Sequence, residues 1–184
     1  ILNMLTRQLI NVPVHLGLEH YPNIYCGVAV FLLYPLYVMD KDINLCEKIG
    51  KSVLLLVFLT AFNLNIPNFI WHGFHYPNSL PCRQSFIYIF FLLTMCYEAL
   101  SHIKRMTSRQ LGIAVWISLG LLVLIEQVFA VDETYDFKAI YLSGAFILVY
   151  AGLMIVYNKT NWKLPVTVFL AFIVCIIECT INMD

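Results

Sequence analysis

Apolar stretches long enough to cross a bilayer, some only with tilt or flanking help, alternate with short polar segments along the chain. The hydrocarbon core of a membrane is about 30 Å thick, so a helix needs roughly 17–25 apolar residues to cross it. Six stretches qualify: Pro22–Met39, Val53–Ile70, Ser85–Ile103, Leu111–Val131, Ile140–Tyr157 and Leu164–Ile181. The separators are Asp40–Asn44, Trp71–Asn78, Lys104–Arg109, Asp132–Asp136 and Asn158–Asn161. Glycine and proline fall largely near these boundaries, as helix breakers do. Ahead of the first stretch, Leu2, Leu5, Leu9 and Val12 recur at helical spacing, with Asn3, Arg7 and Asn11 on the other side, until Pro13 stops the pattern. This arm, residues 1–21, reads as extracytoplasmic, with a short helix lying in the outer interface. A helix packed on the protein's own surface is the alternative. The pattern therefore predicts an all-α fold. It is a polytopic transmembrane bundle of about six spans over 22–181, forming one transmembrane region across 1–184.

Composition supports the membrane reading. Of 184 residues, 61% are hydrophobic and only 12% charged, against about 25% charged in an ordinary soluble domain. Eleven Lys+Arg balance eleven Asp+Glu, so no basic surplus exists for nucleic acid. An aromatic content of 15% excludes intrinsic disorder. Six cysteines scattered through apolar runs argue against a disulfide scaffold. Charge also orients the bundle. Lys41, Lys48, Lys51, Lys104, Arg105, Arg109, Lys159 and Lys163 occupy one alternate set of loops, whereas Arg7, Arg83 and Lys138 occupy the other. Basic loops face the cytoplasm, which places both termini outside. The chain opens on Ile1 without a signal-peptide pattern and reads as a piece of a longer protein.

Polar chemistry concentrates in Asn63–Phe86, which leaves the second stretch, crosses an external loop and enters the third. Pro67 lacks an amide hydrogen and clashes with the preceding turn, so it loosens the helix near the outer face. Pro77 and Pro81 stiffen the loop. Arg83 stands just before a nearly uncharged span, where a guanidinium can take a phosphate oxygen pair in a two-pronged contact. Snorkelling to ordinary lipid phosphates is the plainer reading of Arg83. Trp71, Phe74 and Tyr76 fit the aromatic belt of any interface. His72 and His75 would share a helix face, but no third ligand stands at a recognised spacing, so no metal site is assigned. A hydrogen-bonding or substrate-contacting role suits them better. Glu126 and Glu178 fall near the outer ends of the fourth and sixth stretches, Glu126 roughly 7.5 Å deep at about 1.5 Å per residue. Carboxylates there can serve as bases, ligands or partners for Arg83; headgroup-level residues bonded to a neighbouring helix are the bland alternative. Cys175 and Cys179 read as buried thiols, and a Cys26–Cys82 bridge outside is a minor alternative. Gly144 and Gly152, with Ser143 and Ala151, give the fifth span a small-residue face.

The loop His72-Gly-Phe-His-x-Pro-Asn-x-x-Pro-x-Arg-x-Ser-Phe86 resembles the YfhO family of bacterial membrane proteins. Pro22-Asn-Ile-Tyr-Cys-Gly27 and Glu178-x-x-x-Asn182 resemble two further elements of that family. The resemblance implies a middle portion of a larger GT-C-like glycosyltransferase fold in the bacterial cell membrane. It implies a sugar taken from a polyprenyl-phosphate carrier at the outer face. The acceptor would be an envelope polymer of the lipoteichoic or wall teichoic acid type. The partners would be the bilayer, this lipid-linked donor and the polymer, with no nucleic acid. The resemblance does not match any part of this stretch to the loop that usually carries the catalytic carboxylate in such enzymes, so no catalytic residue is carried over and activity of this stretch alone is not expected. Arg83, His72, His75 and Asn78 are the donor-phosphate candidates, with Glu126 and Glu178 as supporting carboxylates. The resemblance assures no cofactor and allows a divalent metal in the full-length protein. A non-catalytic membrane fragment, or a transporter or lipid flippase, is the competing class.

Overall fold

A computed structural model describes residues 2–12, 22–75, 82–129, 136–160 and 163–182. It is all-helical among these residues. Helix α1 (Leu2–Leu5) runs on as a 3-10 turn, Thr6–Gln8. After non-helical residues 22–27 come α2 (Val30–Met39), α3 (Leu45–Asn63), α4 (Asn65–Trp71) and α5 (Ser85–Ser101). The long helices α6 (Ser108–Phe129), α7 (Lys138–Lys159) and α8 (Leu164–Ile181) follow.

Among the described residues, three helical segments are long and apolar enough to cross a membrane, Ser108–Gln127, Lys138–Lys159 and Leu164–Ile181, whereas Val30–Met39 and Ser85–Ser101 are apolar but shorter. The expected first and second spans depart from the sequence pattern for physical reasons. Pro22–Met39 is helical only from Val30. Gly27 adopts φ +95°, which interrupts any right-handed helix ahead of it. The second stretch begins earlier than its apolar run, at Leu45. Asn44 caps it, its side chain accepting from the Cys46 amide at 3.0 Å, with Glu47 in the first turn. The helix then breaks at Leu64, whose backbone is extended (φ −111°, ψ 132°). The break places Pro67 in the first turn of α4, where its missing amide hydrogen costs nothing.

Helix α2 is the axis of the bundle and packs against α5, α6 and α7. Its sequence, Val-Phe-Leu-Leu-Tyr-Pro-Leu-Tyr-Val-Met, has no polar face, and seven of its ten residues are buried. A helix apolar all round belongs inside. Pro35 lies within it and removes the donor that the Phe31 carbonyl would otherwise receive. The buried Ser118 hydroxyl of α6 supplies that donor, lying 2.7 Å from Phe31 O and equally near Ala114 O on its own helix. At the Gly144 position, a Cβ would meet only Leu122 Cδ1 at 3.5 Å, in keeping with the packing of α6 on α7. Helix α8 is the opposite case: its one buried residue is Glu178, and Phe169, Phe172, Ile176 and Ile177 face outward. In a bilayer such a surface meets lipid.

The N-terminal arm is packed on protein. Met4, Thr6, Arg7, Gln8, Leu9 and Ile10 are all buried, α1 contacts α6 and α3, and the Ile10 amide donates to Ser143 Oγ at 3.1 Å. Pro13, which ends the arm's pattern, lies outside the described residues.

The basic loops converge at one end of the bundle. There Gln110 Nε2 donates to Met39 O at 2.8 Å, Asn158 Nδ2 to Ile103 O at 2.7 Å, and Lys104 Nζ to Thr160 O at 2.9 Å. Residues 22–28, the arm and the end of α8 meet at the opposite end.

Candidate functional site

At that opposite end, two sequence elements about 150 residues apart close on one another. Glu178 is 1% exposed. Its Oε1 accepts from the Tyr25 hydroxyl at 2.6 Å and the Val28 amide at 2.7 Å. Its Oε2 accepts from the Tyr150 hydroxyl at 2.6 Å. Three short donors compensate a carboxylate that burial would otherwise penalise heavily. The turn at Gly27 makes this possible: its left-handed backbone directs the next amide, that of Val28, at the carboxylate. One turn further along α8, Asn182 Oδ1 accepts from the Asn11 amide at 2.8 Å, tying the arm to the same corner. Glu178 is therefore engaged by α7 and the segment before α2. Arg83 is not among its partners, and its bonded, buried position leaves it no open face for a substrate.

The loop side of this end is more open. Helix α4 is held by Trp71, stacked on Phe58 with centroids 4.9 Å apart. His72 closes α4, and its Nδ1 lies 2.9 Å from Asn68 O. A carbonyl can only accept, so Nδ1 carries a proton and is the donor to Asn68 O. The ring's Nε2 is buried without a hydrogen-bond partner among the described residues, as are Asn68 Oδ1 and Gln84 Nε2. His75 is exposed. Asn78 lies outside the described residues, as do Tyr76, Pro77 and Pro81. Phe74 (φ 61°) and Cys82 (φ 62°) adopt left-handed backbone, which is costly for side chains of their kind. Arg83 follows Cys82 and is exposed, with no hydrogen bond or ion pair to another described residue. Glu126 is half-buried on α6 and makes no such bond among the described residues either. His72 and His75 gather no third metal-type ligand among the described residues. All six cysteines are free thiols, Cys26 and Cys82 included; Cys175 and Cys179, expected to be buried, are exposed on α8.

Sequence reasoning passed over a second cluster, at the basic end. His102 Nδ1 lies 2.7 Å from Asp40 Oδ2, Asp40 Oδ1 accepts from the Asp42 amide at 2.9 Å, and Arg105 Nη1 donates to Asp42 Oδ2 at 2.6 Å. The donor atoms of Asp40, Asp42 and His102 lie within 4.8 Å of one another. Each is already bonded, and a guanidinium stands beside them, so the group is an ion-pair network rather than a cation cage. The Arg105 guanidinium bonded to Asp42 holds that carboxyl below its ordinary range. The cue was present in Asp40-x-Asp42 and His102-x-x-Arg105, but nothing in one sequence pairs those two loops.

Comparison with known proteins gives one family. The family described as "Bacterial membrane protein YfhO" matches residues 3–184. No curated protein and no solved structure matches the chain.

Proposed function

On the premise that the chain belongs to the YfhO family of bacterial membrane proteins, we propose that it forms part of a membrane glycosyltransferase. The reaction would move a sugar from a polyprenyl-phosphate carrier to a cell-envelope polymer, of the lipoteichoic or wall teichoic acid type, at the outer face of the bacterial cell membrane. The reading is carried by Arg83. It is a lone exposed guanidinium at the head of α5, at the end of the bundle opposite the convergent basic loops. A cation that engages no carboxylate among the described residues, and that would stand at headgroup height, can take a phosphate in bidentate fashion.

The other residues take supporting roles in this reading. His72 offers Nε2, buried and unbonded among the described residues, as a hydrogen-bonding group for the donor or for its own loop. His75 and Asn78 belong to the same loop and would contact the donor's sugar or phosphate. Of the two supporting carboxylates, Glu126 is the one left available, since Glu178 is spent on Tyr25, Val28 and Tyr150. No catalytic step is assigned to it.

The test uses the protein expressed from its complete reading frame, with sugar transfer measured from a lipid-linked donor. Arg83→Ala should lower transfer at least tenfold, because a charge-assisted hydrogen bond contributes about 1.5–3 kcal/mol and about 1.4 kcal/mol is tenfold. Arg83→Lys should restore only part of it, since an ammonium cannot form the two-pronged contact. Unchanged turnover and donor affinity in Arg83→Ala would remove the residue from the site.

A further inference from the structure

Beneath the N-terminal arm, a cavity of about 280 Å³ lies among α2, α3 and α5. Phe31, Tyr34, Leu55, Tyr88 and Leu92 form its wall, and Gln8 of the arm reaches it at one end. Along α3 the lining runs from Leu59 to Ser52, about 10 Å at about 1.5 Å per residue, so the space is elongated along the helices. Leu56 also lines it and is 49% exposed, which opens the cavity sideways onto the apolar surface that a bilayer would cover.

Two features define what would fit. Among the described residues the lining contains no Lys, Arg, His, Asp or Glu. Gln8 is 1% exposed; its Oε1 accepts weakly from Cys26 Sγ at 3.5 Å, while its Nε2 neighbours the Tyr88 hydroxyl but has no partner in hydrogen-bond geometry among the described residues. A buried amide donor left unmade is costly. The site thus offers a largely apolar slot whose polar groups are all neutral: the hydroxyls of Tyr34, Ser52 and Tyr88 and the unmet amide donor of Gln8. A phosphate would lose its hydration there with no cation in return. An ester carbonyl on a hydrocarbon chain needs one donor and an apolar surround.

We propose that this cavity holds one acyl chain of a glycerophospholipid from the surrounding bilayer, entering past Leu56, with its ester carbonyl accepting from Gln8 Nε2. The bound chain would fill the space between α2 and α3 and fix the arm against the bundle. This goes beyond the glycosyltransferase reading and does not depend on it, because Arg83, His72 and His75 are not among the described residues that line the cavity.

The experiment reconstitutes the complete protein in vesicles of phosphatidylglycerol and phosphatidylethanolamine containing a phospholipid with a photoreactive diazirine near its ester. After irradiation, adducts are mapped by peptide mass spectrometry. The expected result is strong labelling of α2, α3 and α5 peptides containing Phe31, Leu59 or Leu92. Ester-linked phospholipid should compete better than its ether-linked analogue by about two- to tenfold, the range for one hydrogen bond. Gln8→Leu should abolish the ester preference. Leu56→Trp, at the exposed rim and so tolerable to folding, should cut cavity labelling while leaving adducts on α8 unchanged. Labelling of the cavity no greater than of α8 would overturn the proposal in favour of bulk lipid contact. Preferential displacement by a polyprenyl phosphate, or an ester preference that survives Gln8→Leu, would overturn it as well.

Discussion

Ser118 shows what a single hydroxyl does when a proline sits in a buried helix. Pro35 leaves the Phe31 carbonyl without its helical donor, and Ser118 Oγ stands 2.7 Å from that oxygen. The hydroxyl has one proton and two nearby carbonyls, Phe31 O and Ala114 O. Ala114 O can still receive the amide four residues on, as any helical carbonyl does, so Phe31 O has the greater need. Ser118→Ala should therefore destabilise the protein by about 1–3 kcal/mol, the cost of an unmet buried polar group, read as a lowered thermal midpoint in detergent. In a Pro35→Ala background the restored amide bonds Phe31 O directly. The same serine substitution should then cost well under half as much. Equal losses in the two backgrounds would mean that the hydroxyl does not serve the proline's gap. Neither residue advertised this in the sequence: a serine inside an apolar run reads as tolerated filler, and only the crossing of α2 over α6 gives it a task.

Helices differ in how far their residues alone determine them. Leu164–Ile181 begins and ends as its apolar run does, because Lys163 and Asn182 bound it. Helices α6 and α7 extend a few residues past their apolar runs into polar flanks, which continue the backbone bonding at no cost in water. Helix α3 starts at Leu45, ahead of its apolar run from Val53, and the cap Asn44 with Glu47 three residues on is a legible start signal for it. The short length of α2 was not legible, since it depends on Gly27 turning toward a carboxylate that arrives from the far end of the chain. The motifs Pro22–Gly27 and Glu178–Asn182 could each be read; their meeting could not, because one sequence carries no pairing information across about 150 residues. That meeting is what holds α8, which buries little else. Glu178→Ala would strand two hydroxyls and the Val28 amide, and should cost about 3 kcal/mol or more. Tyr25→Phe and Tyr150→Phe should each cost about 1 kcal/mol, in the range of intramembrane hydrogen bonds. Protease sensitivity around Lys163 should rise with the loss. An unfolding midpoint unchanged by Glu178→Ala would show that α8 is held some other way.

At the scale of the whole molecule, the basic end is cross-tied by polar bonds between loops. Asp42, in the α2–α3 turn, joins Arg105, which follows α5. The guanidinium lowers the carboxyl's pKa in the folded protein. The tie is therefore fully present above the unfolded carboxylate value of about 3.9, and is lost as pH falls through the lower folded value. The thermal midpoint of Asp42→Asn should lie below that of the native chain at neutral pH, and the two should converge on acidification. A constant gap across that window would show that Asp42 acts through packing and not charge.

The same end decides orientation, on which the proposed chemistry depends. Arg83 can meet an externally presented donor only if the basic loops face the cytoplasm, the orientation that their excess of Lys and Arg predicts. Lys159 and Lys138 sit at opposite ends of one helix, α7, so they report the two faces with the same intervening structure. Both are surface positions in polar flanks, where a cysteine should not disturb packing. In a background with the six native cysteines replaced by serine or alanine, Lys138→Cys should react with a membrane-impermeant maleimide in intact cells. Lys159→Cys should react only after the membrane is opened. At about 1.5 Å per residue, α7 is about 33 Å long, enough to hold the two positions on opposite sides of a bilayer about 30 Å thick. The reverse pattern would put the Arg83 loop in the cytosol and end the outer-face reading. Reaction of both positions in intact cells would mean that α7 does not cross the membrane at all.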